Sequence, residues 1–166
     1  MSFGFETKVY AGRLKDRNKL IHSSSGGAFV ALTDYFLENG DAVVCTVYNY
    51  LNHSAELKLI LTENERNEAI GSKYMHAEDW LKENSTKKLL FVGMGCQSEA
   101  FRKFCSIKGL TDQVFIVDII CHGTPSPKLW REYAHSLEEK KKGKITYLTF
   151  KDKRNGWESP MAYVTI

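Results

Sequence analysis

Residues 87–127 constrain the fold of this chain more than any other stretch. Four apolar residues, Leu89-Leu90-Phe91-Val92, run into a break at Gly93-Met94-Gly95-Cys96-Gln97. A helical segment follows over 98–108. A second apolar run, 114–120, then ends in Cys121-His122-Gly123-Thr124-Pro125-Ser126-Pro127. Short runs rich in β-branched and aromatic residues on either side of a helix specify a βαβ unit, with parallel strands and a right-handed crossover. Parallel strands deliver their carboxyl ends to one edge, and open α/β sheets bind ligands at that edge. Cys96 and Cys121 are therefore expected at the same rim, each in a glycine-containing turn.

The rest of the chain supplies elements that extend this unit. Lys8-Val9-Tyr10-Ala11-Gly12 is expected to be a short strand, and the basic stretch 13–19 an exposed turn. His22-Ser23-Ser24-Ser25-Gly26-Gly27 precedes a helix over 28–38, with Phe29, Leu32, Phe36 and Leu37 as its buried face and Asn39-Gly40 as its stop. Residues 42–48 and 56–61 are expected to be strands joined by a hairpin. Thr62-Glu63-Asn64-Glu65 is a capping-box pattern opening a short helix to Ile70, and an amphipathic helix follows over 76–83. Ser126 and Pro127 start a further helix whose apolar stripe is Leu129, Trp130, Tyr133 and Leu137. Strands are expected over 145–150 and from 161 to the end. The fold class is α/β, a mixed, largely parallel central sheet with flanking helices. Residues 1–166 form one such domain. The chain stops inside a strand pattern, so we expect a fragment of a longer protein.

Composition narrows the function classes. With 23 basic and 20 acidic residues the formal charge is only +3, which offers no electrostatic footprint for nucleic acid. The densest basic run, 140–144, falls at an expected helix end, where cations suit the dipole. No apolar run reaches membrane-span length, and residues 1–25 lack a signal-peptide core. Four cysteines without a secretory signal point to a reducing compartment, the cytoplasm, and to metal binding or catalysis rather than disulfides.

Two kinds of site are written into the turns. A serine-rich Gly-Gly turn at a helix start offers backbone N–H groups, hydroxyls and a positive dipole end to an anion, although an N-cap with a flexible turn has the same composition. Gly71-Ser72-Lys73-Tyr74 could hold a phosphate or simply join two helices. Cys96, after a strand and before a helix, suits a metal-bound thiolate or a nucleophile. Cys121 precedes His122, a base or an alternative ligand. A cysteine hydrolase would also need an orienting acid, and Asp118 is expected to point into the strand core. Cys45 and Cys105 are expected to pack as small core side chains. No C-x₂-C spacing occurs, so the chain alone offers two ligands toward an iron–sulfur cluster that needs four.

Five stretches occur in one order: Ser23-Ser24-Ser25-Gly26-Gly27, Gly71-Ser72-Lys73-Tyr74, Gly93-Met94-Gly95-Cys96-Gln97, Val117-Asp118-Ile119-Ile120-Cys121-His122-Gly123, and Phe150-Lys151-Asp152-Lys153 with Gly156-Trp157. In this the chain resembles the coenzyme F420 hydrogenase/dehydrogenase beta-subunit family, in its flavin-carrying region. The resemblance implies an α/β redox domain that binds FAD and passes electrons between an iron–sulfur cluster and a substrate or carrier, a deazaflavin in archaeal members. It implies flavin contacts at Ser24, Ser25, Gly26, Gly27, Ser72, Lys73 and Tyr74. Cys96 and Cys121 become cluster-related metal ligands, with a 4Fe-4S cluster completed by residues outside this chain. A ferredoxin-like domain or partner subunit is the implied neighbour. The family usually reads Gly-Thr-Pro-Cys-Gln where this chain has Gly93-Met94-Gly95-Cys96-Gln97. A cation such as Lys73 near N1 of the flavin would stabilise its reduced form. The alternative is a non-redox ligand-binding or scaffold domain of polysaccharide biosynthesis that kept the fold and lost the cofactor.

Overall fold

Side chains that alternate between two faces of a central sheet, with helices over both, set the architecture. The computed structural model describes residues 8–21, 23, 25–67, 74–121, 123–152 and 161–166. In chain order these form α1 (Arg17–Ile21), α2 (Ala28–Glu38), β1 (Ala42–Asn49), β2 (Ser54–Ile60), α3 (Glu63–Asn67), α4 (Tyr74–Glu83), β3 (Leu89–Met94), α5 (Gly95–Lys108), β4 (Val114–Ile119), α6 (Pro127–Lys141), β5 (Tyr147–Asp152) and β6 (Met161–Thr165).

The main sheet has the order β2-β1-β3-β4. Strands β1, β3 and β4 are mutually parallel, and β2 pairs antiparallel with β1 through the expected hairpin. The mixed, largely parallel α/β class holds. Strands β5 and β6 form a separate antiparallel pair.

Period-two alternation splits the core cleanly. Ala42, Val44, Leu89 and Phe91 face α4 and α5, meeting Ala77, Leu81, Phe101 and Cys105. Val43, Cys45, Val47, Leu90 and Val92 face the other way, with Phe36 of α2 packed on them. Central strands buried on both faces have the near-continuous apolar sequence seen in 89–92. Phe91 and Phe101 stack at a centroid distance of 4.3 Å with planes 15° apart, both fully buried. Burial contributes about 1.5–3 kcal/mol per ring, and the pairing up to about 1.5 kcal/mol more.

Several expectations are corrected. Residues 8–12 form no strand: Val9 and Tyr10 are 89% and 85% exposed, and no described strand pairs with them. Strand propensity without a partner ladder stabilises nothing. Within 13–19, Arg17 begins helix α1 instead of a turn. Helix α2 has the expected bounds, but its fully covered residues are Thr33 and Phe36, while Phe29 and Leu32 stay partly exposed. On α6 the buried positions are Ala134 and Glu138, and Leu129 and Tyr133 face solvent. The covered side of the helix is centred on Ala134 and Glu138, where the Ile145 N–H donates to the carboxylate, and of the expected stripe Trp130 and Leu137 are half-buried. Asp118 is exposed rather than lodged in the strand core, since β4 is the edge of the sheet.

Candidate functional site

Strand β3 ends at Met94 opposite Ile119, the last residue of β4, so both strands finish at one edge. Cys96 is the second residue of α5, and Cys121 lies two residues past β4; both thiols are exposed. Cys121 Sγ is 3.4 Å from Met94 Sδ. It also accepts the Gly123 N–H at 3.2 Å, from a residue at φ 106°. A left-handed backbone there suits glycine and lets the chain fold back over its own thiol. At the start of α5 the Gln97 side-chain oxygen accepts the Met94 N–H at 3.0 Å and ties the strand end to the helix. Gly93 allows this close turn, because a Cβ there would sit 2.7 Å from the Phe91 ring.

The other two cysteines are structural. Cys45 belongs to the core beneath α2 and Cys105 to the core beneath α5, on opposite faces of the sheet. Burial pushes the Cys105 thiol up to about 11. A four-thiolate cluster therefore does not assemble from this chain's cysteines alone.

Helix α2 packs on β1 and β3 and joins β1 through three residues. It therefore runs back against β1, and its N-terminus lies toward the carboxyl edge of the sheet. Its N-cap is Gly27 at φ 83°, which donates no side-chain cap, and its first turn holds no acidic residue. Gly27 is buried, Gly26 half-buried and Ser25 exposed. The Leu14 N–H donates to the Gly26 carbonyl at 2.8 Å. A Cβ on Gly26 would meet the Gly12 oxygen at 2.6 Å, and one on Gly27 the Leu14 side chain at 2.3 Å. The glycine pair is thus required by the strap of residues 12–14 laid across the turn. Ser24, Ser72, Lys73 and His122 lie outside the described residues. Tyr74 opens α4, with its side chain likewise outside them.

A second constellation escaped the sequence reading. His53, in the β1–β2 hairpin, is 2% exposed and held at φ 52°. Its Nδ1 lies 3.1 Å from the Tyr48 hydroxyl, which accepts the Trp130 indole N–H at 2.8 Å. Its Nε2 is 3.3 Å from Oε1 of the buried Glu138, and His135 Nδ1 is 3.8 Å from Oε2. Lys144 donates to Oε2 at 2.6 Å and the Ile145 N–H to Oε1 at 2.9 Å. Lys144 first, then Ile145 N–H and His53, hold the Glu138 carboxyl down at about 2. The available signal was His-x-x-Glu at 135 and 138, one helical face apart by i, i+3. A lone histidine in a hairpin carried no signal at all.

Among the described residues no helix is long and apolar enough to cross a membrane. No curated protein sequence matches the chain. In fold it is similar to a chain from the xenon derivatization of the F420-reducing NiFe hydrogenase complex of Methanosarcina barkeri, at TM-score 0.63 and 18% identity. That likeness covers 92% of this chain and 58% of the hydrogenase chain, so the protein spans little more than half its neighbour's length. Residues 86–164 match the profile for the C terminus of the coenzyme F420 hydrogenase/dehydrogenase beta subunit. The βαβ unit with its two rim cysteines lies inside that match, and the resemblance drawn from the five motifs is to this coenzyme F420 hydrogenase/dehydrogenase beta-subunit family.

Proposed function

We propose that this chain is the core of a flavin-dependent oxidoreductase subunit, moving electrons between a reduced carrier (a deazaflavin, a ferredoxin or a similar molecule) and a substrate. The observation that carries the reading is the shared rim. Two exposed thiols, one against Met94, stand at the edge toward which the uncapped N-terminus of α2 is directed. A helix start without an acidic first turn suits a pyrophosphate, through its N–H groups and dipole.

The residues that would hold FAD are Ser24, Ser25, Gly26 and Gly27 at the diphosphate, with Ser72, Lys73 and Tyr74 nearer the ring. Lys73 would place a positive charge where the reduced ring becomes anionic. FAD itself supplies the interchange of two-electron and one-electron chemistry. Cys96 and Cys121 would contribute two thiolates to a 4Fe-4S cluster completed by a ferredoxin-like domain or partner subunit. The structural neighbour belongs to a hydrogenase complex, which favours such a partner.

The test is reconstitution with FAD followed by gel filtration and an absorbance spectrum. Retained yellow flavin is expected, lost in Ser24→Ala and Lys73→Met at unchanged circular dichroism. Folded protein that stays colourless would overturn the reading and leave a cofactor-free scaffold or ligand-binding domain of polysaccharide biosynthesis.

A further inference from the structure

Helix α6 and the β1–β2 hairpin meet over three side chains of metal-binding type. One ligand atom from each of His53, His135 and Glu138 lies within 4.8 Å of the other two. Two imidazoles and a carboxylate are a donor set for zinc-class divalent ions. Such an ion bonds nitrogen and oxygen at about 2.0–2.2 Å, which sets tetrahedral donors roughly 3.3–3.6 Å apart, so a pair 4.8 Å apart must close by more than an ångström. His135 is on the exposed side of α6, where its imidazole has room for that closing movement.

We infer that His53, His135 and Glu138 form a three-ligand site for a divalent transition metal of the zinc class, with its fourth position open to solvent. Three features beyond ligand identity support it. Both His53 and Glu138 are nearly inaccessible, at 2% and 5% exposure, so their orientation is fixed by packing. His53 keeps a left-handed backbone, unfavourable for a non-glycine residue, while its Nε2 stands 3.3 Å from Glu138. Beside the ligands lies an open groove of about 390 Å³, lined by His135, Glu138, Glu139, Lys142, Gly143 and Lys144, which gives an ion and its water a way in.

The outer shell is of the kind metal-bound histidines use. Trp130 can only donate, so the Tyr48 hydroxyl accepts from it and can give its own proton to His53 Nδ1 when that nitrogen is bare. In that arrangement Nε2 carries the imidazole proton and donates to Glu138. Metal binding moves this proton to Nδ1, where the Tyr48 oxygen accepts it, and frees the Nε2 lone pair. No proton leaves the protein in this step. The competitor is Lys144, whose ammonium holds Oε2 at 2.6 Å while its side chain is 81% exposed. An incoming ion displaces that ammonium into water.

Zinc and cobalt(II) titrations of the full 166-residue chain, carrying Cys96→Ser and Cys121→Ser to remove the rim thiols, test the site. One ion per chain is expected, with a cobalt d–d spectrum of low coordination number and a zinc-dependent rise in Tm. His135→Ala, an exposed position that leaves the fold intact, should weaken binding by more than about tenfold, since even outer-shell partners cost that much. Lys144→Met should tighten it. Overturning results are no binding at concentrations well above those of the protein, binding unchanged in His135→Ala, or metal held only while the rim cysteines are present.

Discussion

Cys121 Sγ stands 3.4 Å from the thioether sulfur of Met94, joining the end of β4 to the end of β3 two residues before Cys96. The contact depends on the parallel register that sets Met94 opposite Ile119. Its position divides the four cysteines into an exposed pair at the rim and a buried pair in the cores. Native protein should therefore react at two thiols with an aromatic disulfide reagent, and at four only after denaturation. Peptide mapping should place the fast labels on Cys96 and Cys121. Rapid labelling of Cys45 or Cys105 in folded protein would contradict the packing.

Gly95 is the first residue of α5, and a Cβ there meets nothing within 4 Å. Proline is favoured at this helical position, where its missing N–H has no intrahelical partner. Met94 already has φ −69° and ψ 154°, a conformation that a following proline accepts. Gly95→Pro should raise stability by roughly 0.4–1 kcal/mol, through a less flexible unfolded chain, as read by urea denaturation. A loss of stability would mean that the turn uses conformations a proline forbids.

The buried Glu138 carboxyl, held at about 2 against an ordinary 4.5, couples stability to acid. A depressed carboxylate stabilises the fold fully above its unfolded value and loses that contribution as pH falls through its folded value. The window is thus pH 4.5 down to about 2. Glu138→Gln should be less stable than the parent at pH 7, with the gap closing across that window. Thermal melts at fixed ionic strength along the pH series measure it, and a pH-independent gap would contradict it.

Phe101 fills the space between α5 and the sheet, stacked on Phe91. Phe101→Ala removes a fully buried ring from a site framed by β3, α4 and α5, where collapse is limited. The expected cost is about 3–5 kcal/mol, seen as a lowered urea midpoint at unchanged slope. A cost below about 1 kcal/mol would show that the core refills.

Much of the frame was legible from residue pattern. The break after Val92 and the run at 114–120 placed β3, α5 and β4, and Gly-Gly before Ala28 placed the start of α2. Face assignments were less legible. Leu129 and Tyr133 have the spacing of a buried stripe, yet α6 turns them outward and covers Glu138, which is bound by Ile145 and Lys144 from the following segment. In the same way Phe29 and Leu32 of α2 remain partly exposed: apolar spacing records which side chains could be covered, not whether a neighbour covers them. The Gly26-Gly27 turn drew attention as an anion cradle, whereas the contacts that demand glycine there come from residues 12–14.

Local chemistry along the chain determined the order of strands and helices, the parallel core unit and the common rim for Cys96 and Cys121, because hydrophobic periodicity and turn residues act between near neighbours. Only the tertiary structure decided that Cys45 and Cys105 are buried on opposite faces, and that His53 meets His135 and Glu138 across 82 and 85 positions of sequence. Contacts over such separations depend on how whole elements pack, and no local pattern carries that information.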